Sequence, residues 1–174
     1  MDPKKDRLDL EDDYLDDEED TQKDKYLTFH IDKEYYAIEI QFVTEIVGIQ
    51  KITEIPDTPD YLEGVINLRG KVIPVIDVRT RFKLPKKPYG DRTCIIVVNL
   101  EETATGLIVD EVAEVLDIPA NQIDPPPKTS KGARSRYITG IGKVGENVEI
   151  IVNTARILND DELDDLKKIV EENE

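Results

Sequence analysis

The sequence has very few of the residues on which catalytic and metal chemistry depends. Among 174 residues it holds no tryptophan, one histidine and one cysteine. A single cysteine cannot form an internal disulfide bond, and one histidine with one cysteine cannot supply the ligands of a zinc site. No GxSxG elbow, P-loop or GxGxxG phosphate-binding motif is present in the sequence. These absences predict a protein that is not an enzyme and needs no cofactor.

An enzyme that uses Cys94 or His30 is the remaining catalytic alternative. Cys94 begins the apolar run over residues 95–98, and we interpret it as a small buried thiol rather than a nucleophile. His30 falls on the polar side of its predicted strand together with Tyr26 and Thr28. A solvated histidine is therefore the preferred interpretation.

The sequence also lacks long apolar runs and a uniform charge. No run is long enough to span a bilayer, and residues 1–20 lack the apolar segment of a secretion signal, so we expect a cytoplasmic protein without direct membrane insertion. Of the net charge of −16, residues 1–24 carry −8 and residues 159–174 carry −6. The body of the chain is close to neutral. It lacks the clustered Lys and Arg that bind phosphates, which argues against nucleic acid as a partner.

The charged ends and the body predict different structures. Residues 1–24 are rich in charge and poor in apolar side chains, which predicts a disordered acidic tail. Residues 159–174 place Leu163, Leu166, Ile169 and Val170 at helical spacing, which predicts a C-terminal helix. Between them, short apolar-alternating segments are separated by polar or Pro/Gly turns, which indicates an all-β barrel or sandwich.

The body contains an internal repeat. Residues 36–49 align without gaps on residues 105–118, and residues 61–82 align on residues 137–158. Two copies are too few for a solenoid, and each is too short to be stable alone. We therefore predict two β modules that share an apolar interface, with 25–82 mostly in the first and 92–158 in the second.

The repeat separates residues that the fold needs from residues that it does not. Glu45 aligns with Glu114, so this carboxylate is common to both copies. Arg69, in the turn of the segment NLRGKV, aligns with Gly145, so the module folds without an arginine there. Two interpretations of Arg69 stay open: an exposed side chain that only aids solubility, or a side chain that binds a partner.

Four segments carry a resemblance to a known family. They are YAIEIQFVTEIVGI, ITEIPDTPDYLEGVINLRGKVIPVIDVRTRF, GLIVDEVAEVLDI and RYITGIGKVGENVEIIVNTARIL, and the resemblance covers residues 25–158. In this order they resemble the CheW-like domain family, which includes coupling proteins of bacterial chemotaxis and the regulatory domain of the histidine kinase CheA. The resemblance implies two packed five-stranded SH3-like β-barrels, with the opening strand joined to the second barrel.

The resemblance also implies a function, partners and site residues. It implies a non-enzymatic adaptor in the cytoplasm that couples the cytoplasmic tip of chemoreceptors to the regulatory domain of CheA. Such adaptors associate with membrane-bound receptor arrays through protein contacts, which can include further copies of the adaptor. The implied receptor-binding residues are Val43, Glu45, Gly64, Asn67, Leu68 and Arg69, with Glu45 opposing Arg69. Val112 and Val115 match second-barrel positions that face the kinase, and for Gly64 and the valines the repeat makes a packing role at least as good an interpretation.

Two further alternatives share the predicted fold class. One is a CheW-like scaffold in a chemosensory system that does not govern motility. The other is an SH3-like module that binds proline-rich peptides, which usually dock in aromatic-lined grooves. The absence of tryptophan and the presence of only three phenylalanines argue against the second.

Overall fold

A computed structural model describes residues 22–128 and 132–158. This part of the chain is mostly β-strand, with two short α-helices, α1 (Val78–Arg81) and α2 (Thr154–Leu158), and three 3₁₀ helices over Ile40–Phe42, Ala120–Gln122 and Ala133–Arg136. The strands are β1 (Lys25–Ile31), β2 (Glu34–Glu39), β3 (Val43–Gly48), β4 (Leu62–Leu68), β5 (Lys71–Asp77), β6 (Cys94–Leu100), β7 (Thr103–Val109), β8 (Glu111–Asp117), β9 (Ile123–Asp124), β10 (Ile138–Val144) and β11 (Asn147–Val152). The predicted helix over 159–174 and all but the last three residues of the predicted tail lie outside the described residues.

The strands form two sheets, which confirms the predicted all-β class of two packed barrels. The first sheet has the order β3-β6-β7-β5-β4, and the second has the order β8-β1-β2-β11-β10-β9. The second sheet therefore has a sixth strand, β9, which is only two residues long. In the first sheet a single bridge between Thr53 and Val65 lies at the equivalent place beside β4.

The two copies of the repeat exchange their first hairpins. The opening strand β1 joins the second sheet as predicted, but β2 goes with it, and β6 and β7 (94–109) join the first sheet. The sequence-based division of the chain at residues 82–92 therefore differs from the structure. Parallel pairing of β2 with β11 and of β7 with β5 makes the exchange. Because the copies are alike in sequence, each hairpin fits the sheet of the other copy.

The largest apolar core lies between the two barrels and draws on both copies. Aligned positions contribute to it in pairs, such as Tyr61 with Tyr137 and Ile76 with Val152. Burying one such side chain contributes roughly 1.5–3 kcal/mol. The shared apolar interface that the repeat predicts is thus present. Each barrel also has its own smaller core: Ile66, Ile73, Val75, Ile95, Val97 and Ile108 in the first, and Tyr26, Ala37, Ile118 and Ile151 in the second.

A buried arginine links the two sheets. Arg79 on α1 donates from Nε to Asp110 Oδ1 at 2.9 Å and from Nη1 to the carbonyl of Pro85 at 3.1 Å, and it also pairs with Asp32. Asp110 lies between β7 of the first sheet and β8 of the second, and Asp32 lies in the β1–β2 turn. Burial alone would raise the pKa of Asp110, but its hydrogen bonds with Arg79 and with the backbone N–H of Asp32, together with the charges of Arg79 and Lys87, outweigh burial and lower that pKa.

A second arginine of α1 lies between aligned aromatic rings. The guanidinium carbon of Arg81 is 4.2 Å from the ring centroid of Tyr61 and 5.3 Å from that of Tyr137. These distances are within the range of cation–π attraction. Neither Arg79 nor Arg81 was predicted from the sequence to be important. A sequence signal for both is their position directly after the apolar run VIPVIDV and before Phe82. Charged residues between apolar ones in this way are more often buried than those in a polar turn.

Candidate functional site

The β4–β5 turn of the first barrel holds Arg69 in an unusual backbone conformation. Leu68 pairs with Lys71, which leaves Arg69 and Gly70 as a two-residue turn with φ of 52° and 86°. Positive φ at both positions is typical of a type I′ turn, which favours Asn or Gly. An L-residue in this region costs on the order of 1 kcal/mol or more. The equivalent turn of the second barrel has Gly145 at φ of 61°. Folding therefore does not account for an arginine at residue 69.

The guanidinium of Arg69 meets the carboxylate of Glu45 on another strand. Arg69 Nη2 donates a hydrogen bond to Glu45 Oε2, which joins the β4–β5 turn to β3 at the opposite edge of the sheet. The Arg69 side chain is 70% exposed and that of Glu45 is 29% exposed. An exposed pair of this kind contributes about 0–1 kcal/mol to stability. The pair thus orients the arginine while leaving most of its side chain exposed to solvent.

The other residues predicted for the first-barrel site support the turn or the core. Asn67 Oδ1 accepts a hydrogen bond from the backbone N–H of Gly70 at 2.8 Å. Leu68 packs against the core of the first barrel, and Val43 packs against the core between the barrels. Gly64 has φ of 149°, and a Cβ there would lie 2.2 Å from the carbonyl oxygen of Thr53. For Gly64 the structure therefore supports the packing alternative.

Each barrel exposes two apolar side chains at aligned positions. In the first barrel these are Ile46 on β3 and Val72 on β5, and we call them the first apolar pair. Their counterparts in the second barrel, Val115 on β8 and Val148 on β11, form the second apolar pair. All four are close to half exposed, and they occupy the same places in the two barrels.

The two second-barrel residues predicted from the sequence differ in exposure. Val115 belongs to the second apolar pair and is 50% exposed. Val112 pairs with Phe29 of β1 and packs against the core between the barrels. Val115 is therefore exposed to solvent, whereas Val112 packs into the fold.

The residues of the enzyme alternative lack the environment of an activated nucleophile. Cys94 is half-buried at the start of β6, and burial raises the pKa of its thiol. His30 contacts the ring of Tyr35, and its Nδ1 is 4.0 Å from Glu111 Oε2. Within residues 22–128 and 132–158, no group of three or more His, Cys, Asp or Glu side chains is arranged to hold a metal. No helix in this part of the chain is long and apolar enough to cross a bilayer.

Comparisons with known proteins agree with this geometry. The chain is 37% identical over 144 residues to the chemotaxis protein CheW of Klebsiella aerogenes, covering 83% of this chain and 87% of the relative. It is 31% identical to the chemotaxis protein CheW of Treponema pallidum, over 82% of this chain and 86% of that protein. The crystal structure of the scaffolding protein TtCheW from Thermoanaerobacter tengcongensis matches with a TM-score of 0.73 and 37% identity, covering 80% of this chain and 94% of that one. The profile of the CheW-like domain family matches residues 25–162. The chain therefore belongs to the CheW-like domain family.

Proposed function

We propose that this protein is a non-enzymatic adaptor that couples chemoreceptors to the histidine kinase CheA in a bacterial chemotaxis array. The observation that carries the proposal is Arg69, a mostly exposed guanidinium held at a costly backbone position where the second barrel has glycine. The names of the relatives support the chemotaxis setting.

The proposed receptor contact is the rim of the first barrel. Arg69 and Glu45 form its polar part, and the first apolar pair adds Ile46, which follows Glu45 on β3, and Val72, close after the β4–β5 turn on β5. A planar guanidinium offers several donors in a fixed geometry, so it can hydrogen-bond a receptor helix while the apolar pair is covered. The shape of this rim is maintained by the other predicted residues, which are Val43, Gly64, Asn67 and Leu68.

The proposed kinase contact is the second barrel, through Val115 on β8 and the similarly exposed Val148 on β11. The two contacts lie on different barrels, so one adaptor can hold the receptor tip and the regulatory domain of CheA together. A change in the receptor can alter kinase activity through the adaptor only if the receptor binds the adaptor differently in its two signalling states. This mechanism requires no catalysis and no cofactor, and it places the protein in the cytoplasm at the receptor array.

Co-sedimentation with receptor-containing membranes and CheA tests the proposal. Arg69→Glu should reduce receptor binding at least tenfold, a loss of about 1.4 kcal/mol. The matched control is Arg92→Glu. Arg92 also pairs with a glutamate, Glu111, at 2.9 Å and is similarly exposed at 77%. The control should change binding less than twofold.

Equal losses in the two variants, or wild-type binding by Arg69→Glu, would contradict the receptor assignment. A swimming assay in a deletion strain then separates a motility adaptor from a scaffold of another chemosensory system. Restored swimming supports the first, and unchanged swimming with intact receptor binding supports the second.

A further inference from the structure

A cavity lies at the junction of the two sheets, beside the buried Arg79. It has a volume of about 280 Å³, and both sheets line it. Asp77 at the end of β5 and Ile108 on β7 belong to the first sheet, and His30 on β1 belongs to the second. Residues 87–93, in the segment between α1 and β6, form a further wall. The cavity can therefore hold a small organic molecule as well as water.

Asp77 is a buried carboxylate in the wall of this cavity. It is 3% exposed. Its hydrogen-bond donors are neutral: the backbone N–H groups of Arg79, at 2.9 Å, and of Thr80, and the hydroxyl of Tyr89 at 3.3 Å. Burial, together with the charge of Glu63, raises the pKa of Asp77 despite these hydrogen bonds. The charged form of Asp77 therefore has an energetic cost that a cation in the cavity would reduce.

The second barrel shows that the fold does not need the charge of Asp77. Asp77 caps the start of α1, and the repeat aligns it with Asn153. Asn153 caps α2 in the same way, because its Oδ1 accepts a hydrogen bond from the backbone N–H of Arg156 at 3.0 Å. An uncharged side chain of the same shape thus performs the capping role. Helix capping does not account for the negative charge at residue 77.

The basic side chains around the cavity do not neutralise Asp77. Five of the side chains that line the cavity are acidic and three are basic. Arg79 is held by the two aspartates described above, and Arg92 pairs with a glutamate. The third, Lys87, lowers the pKa of Asp110 through its charge. In the part of the chain that the structure describes, no lysine, arginine or histidine forms an ion pair with Asp77.

The other walls of the cavity suit an ammonium group on a short hydrocarbon. The Nε2 atom of His30 is buried and has no hydrogen-bond partner among the described residues. In a neutral imidazole this atom can accept a hydrogen bond from an ammonium N–H. Pro88, Tyr89 and Ile108 add apolar surface. An alkylammonium ion would thus meet a negative charge, a hydrogen-bond acceptor and an apolar wall in one cavity.

We propose that this cavity binds a small organic cation that carries a primary ammonium group, with Asp77 as its counter-ion. His30 accepts one of the ammonium hydrogens, and the hydrocarbon part contacts Tyr89 and Ile108. Because the walls come from both sheets, a bound cation links the two barrels and stabilises the folded chain. This site goes beyond the proposed adaptor function. Its test requires neither receptor nor kinase, so the two proposals can fail separately.

The test uses the full chain and two probes of similar shape, cyclohexylammonium chloride and cyclohexanol. Cyclohexylammonium should shift the backbone amide resonances of Gly90, Thr93 and Asp110 saturably in NMR spectra, and it should raise the melting temperature. Cyclohexanol tests whether the cavity takes any apolar molecule of this size, and sodium chloride tests for a general effect of ionic strength. At matched concentrations neither should cause these changes.

Two variants and a control test the residues of the site. Asp77→Asn, which copies Asn153 of the second barrel, should fold and should weaken cyclohexylammonium binding at least tenfold. His30→Phe keeps a ring beside Tyr35 but removes the Nε2 acceptor, and it should weaken binding at least threefold. The matched control is Asp57→Asn, which removes an exposed carboxylate outside the cavity at a positive φ that asparagine tolerates. The control should change binding less than twofold.

Three results would overturn the proposal. The first is the absence of a saturable shift with cyclohexylammonium. The second is the same set of shifts with cyclohexanol or sodium chloride. The third is wild-type binding by either Asp77→Asn or His30→Phe. The comparison of the two probes uses the wild-type chain, so it decides the matter even if a variant is less stable.

Discussion

Arg69 in the β4–β5 turn and Glu45 on β3 are 24 residues apart in sequence, yet a hydrogen bond from Arg69 Nη2 to Glu45 Oε2 joins them. The two strands concerned are the outer strands of the five-stranded sheet, so the bond spans the gap across which the barrel closes. The second barrel has Gly145 in place of this arginine and closes without such a pair. The contact is therefore an added feature of the first barrel, and its consequences can be separated from those of folding.

Arg69→Gly should separate binding from stability. Glycine relieves the cost of positive φ at this position but loses more entropy on folding, by about 0.4–1 kcal/mol. We expect the free energy of unfolding in urea to change by less than about 1 kcal/mol, because the exposed pair itself contributes little. Receptor co-sedimentation should fall as it does for Arg69→Glu. A destabilisation of several kcal/mol would instead show that the arginine serves the fold.

Arg79→Met should destabilise the protein strongly. The variant leaves Asp110 and Asp32 without their shared cation. Breaking a fully buried pair typically costs about 3–5 kcal/mol, and because Asp32 is half exposed we expect a loss near the lower end of that range. Urea denaturation measures the loss. The control is Arg92→Met, which breaks an exposed pair and should cost less than about 1 kcal/mol. Similar losses in both variants would contradict the assignment of Arg79 as the link between the sheets.

The same pair predicts a loss of stability in acid. The pKa of Asp110 is lowered in the folded chain, so its contribution is present above the ordinary aspartate pKa of about 3.9 and is lost as the pH falls through the lowered value. The difference in unfolding free energy between wild type and Arg79→Met should therefore shrink as the pH falls from about 6 to about 3. A difference that does not vary with pH would show that Arg79 acts by packing alone.

Gly64→Ala should destabilise the first barrel by about 3 kcal/mol, from a backbone clash and a positive φ. The added Cβ would lie 2.2 Å from the carbonyl oxygen of Thr53, the residue that bridges to β4. Gly48→Ala is the matched control, because a Cβ at Gly48 has no heavy atom within 4 Å. Thermal denaturation should show a large shift for the first variant and a small one for the second. Equal melting temperatures for the two variants would argue against a packing role for Gly64 and favour a role in receptor contact.

Glu149→Ile should stabilise the protein at neutral pH, because an apolar residue replaces a buried carboxylate, by about 1–3 kcal/mol. The raised pKa of Glu149 means that the folded state favours the protonated acid. The cost of the carboxylate is therefore absent below its ordinary pKa of about 4.3 and appears as the pH rises through the raised value. Urea denaturation should show a larger gain near pH 7.5 than near pH 4. A gain of the same size at both values would mean that the charge of Glu149 is not the cause.

Much of the fold was predictable from local patterns. Alternating apolar residues and short turns predicted the strands, because one face of each strand must be buried. The internal repeat predicted two similar modules with a shared core, because each copy is too small to be stable alone. The same repeat singled out Arg69, since it showed a charged residue at a turn where the fold accepts glycine.

The sequence by itself determined the strands, the duplication and the scarcity of histidine and cysteine, since these depend on residue type and spacing along the chain. Only the tertiary structure decided which hairpin completes which sheet, because two similar copies allow either pairing and contacts between distant residues select one. It also decided that Arg79 is buried and pairs with two aspartates, and that Glu149 is buried in the second barrel. Residues far apart in the sequence create these environments, and a local sequence pattern does not predict the distances between such residues.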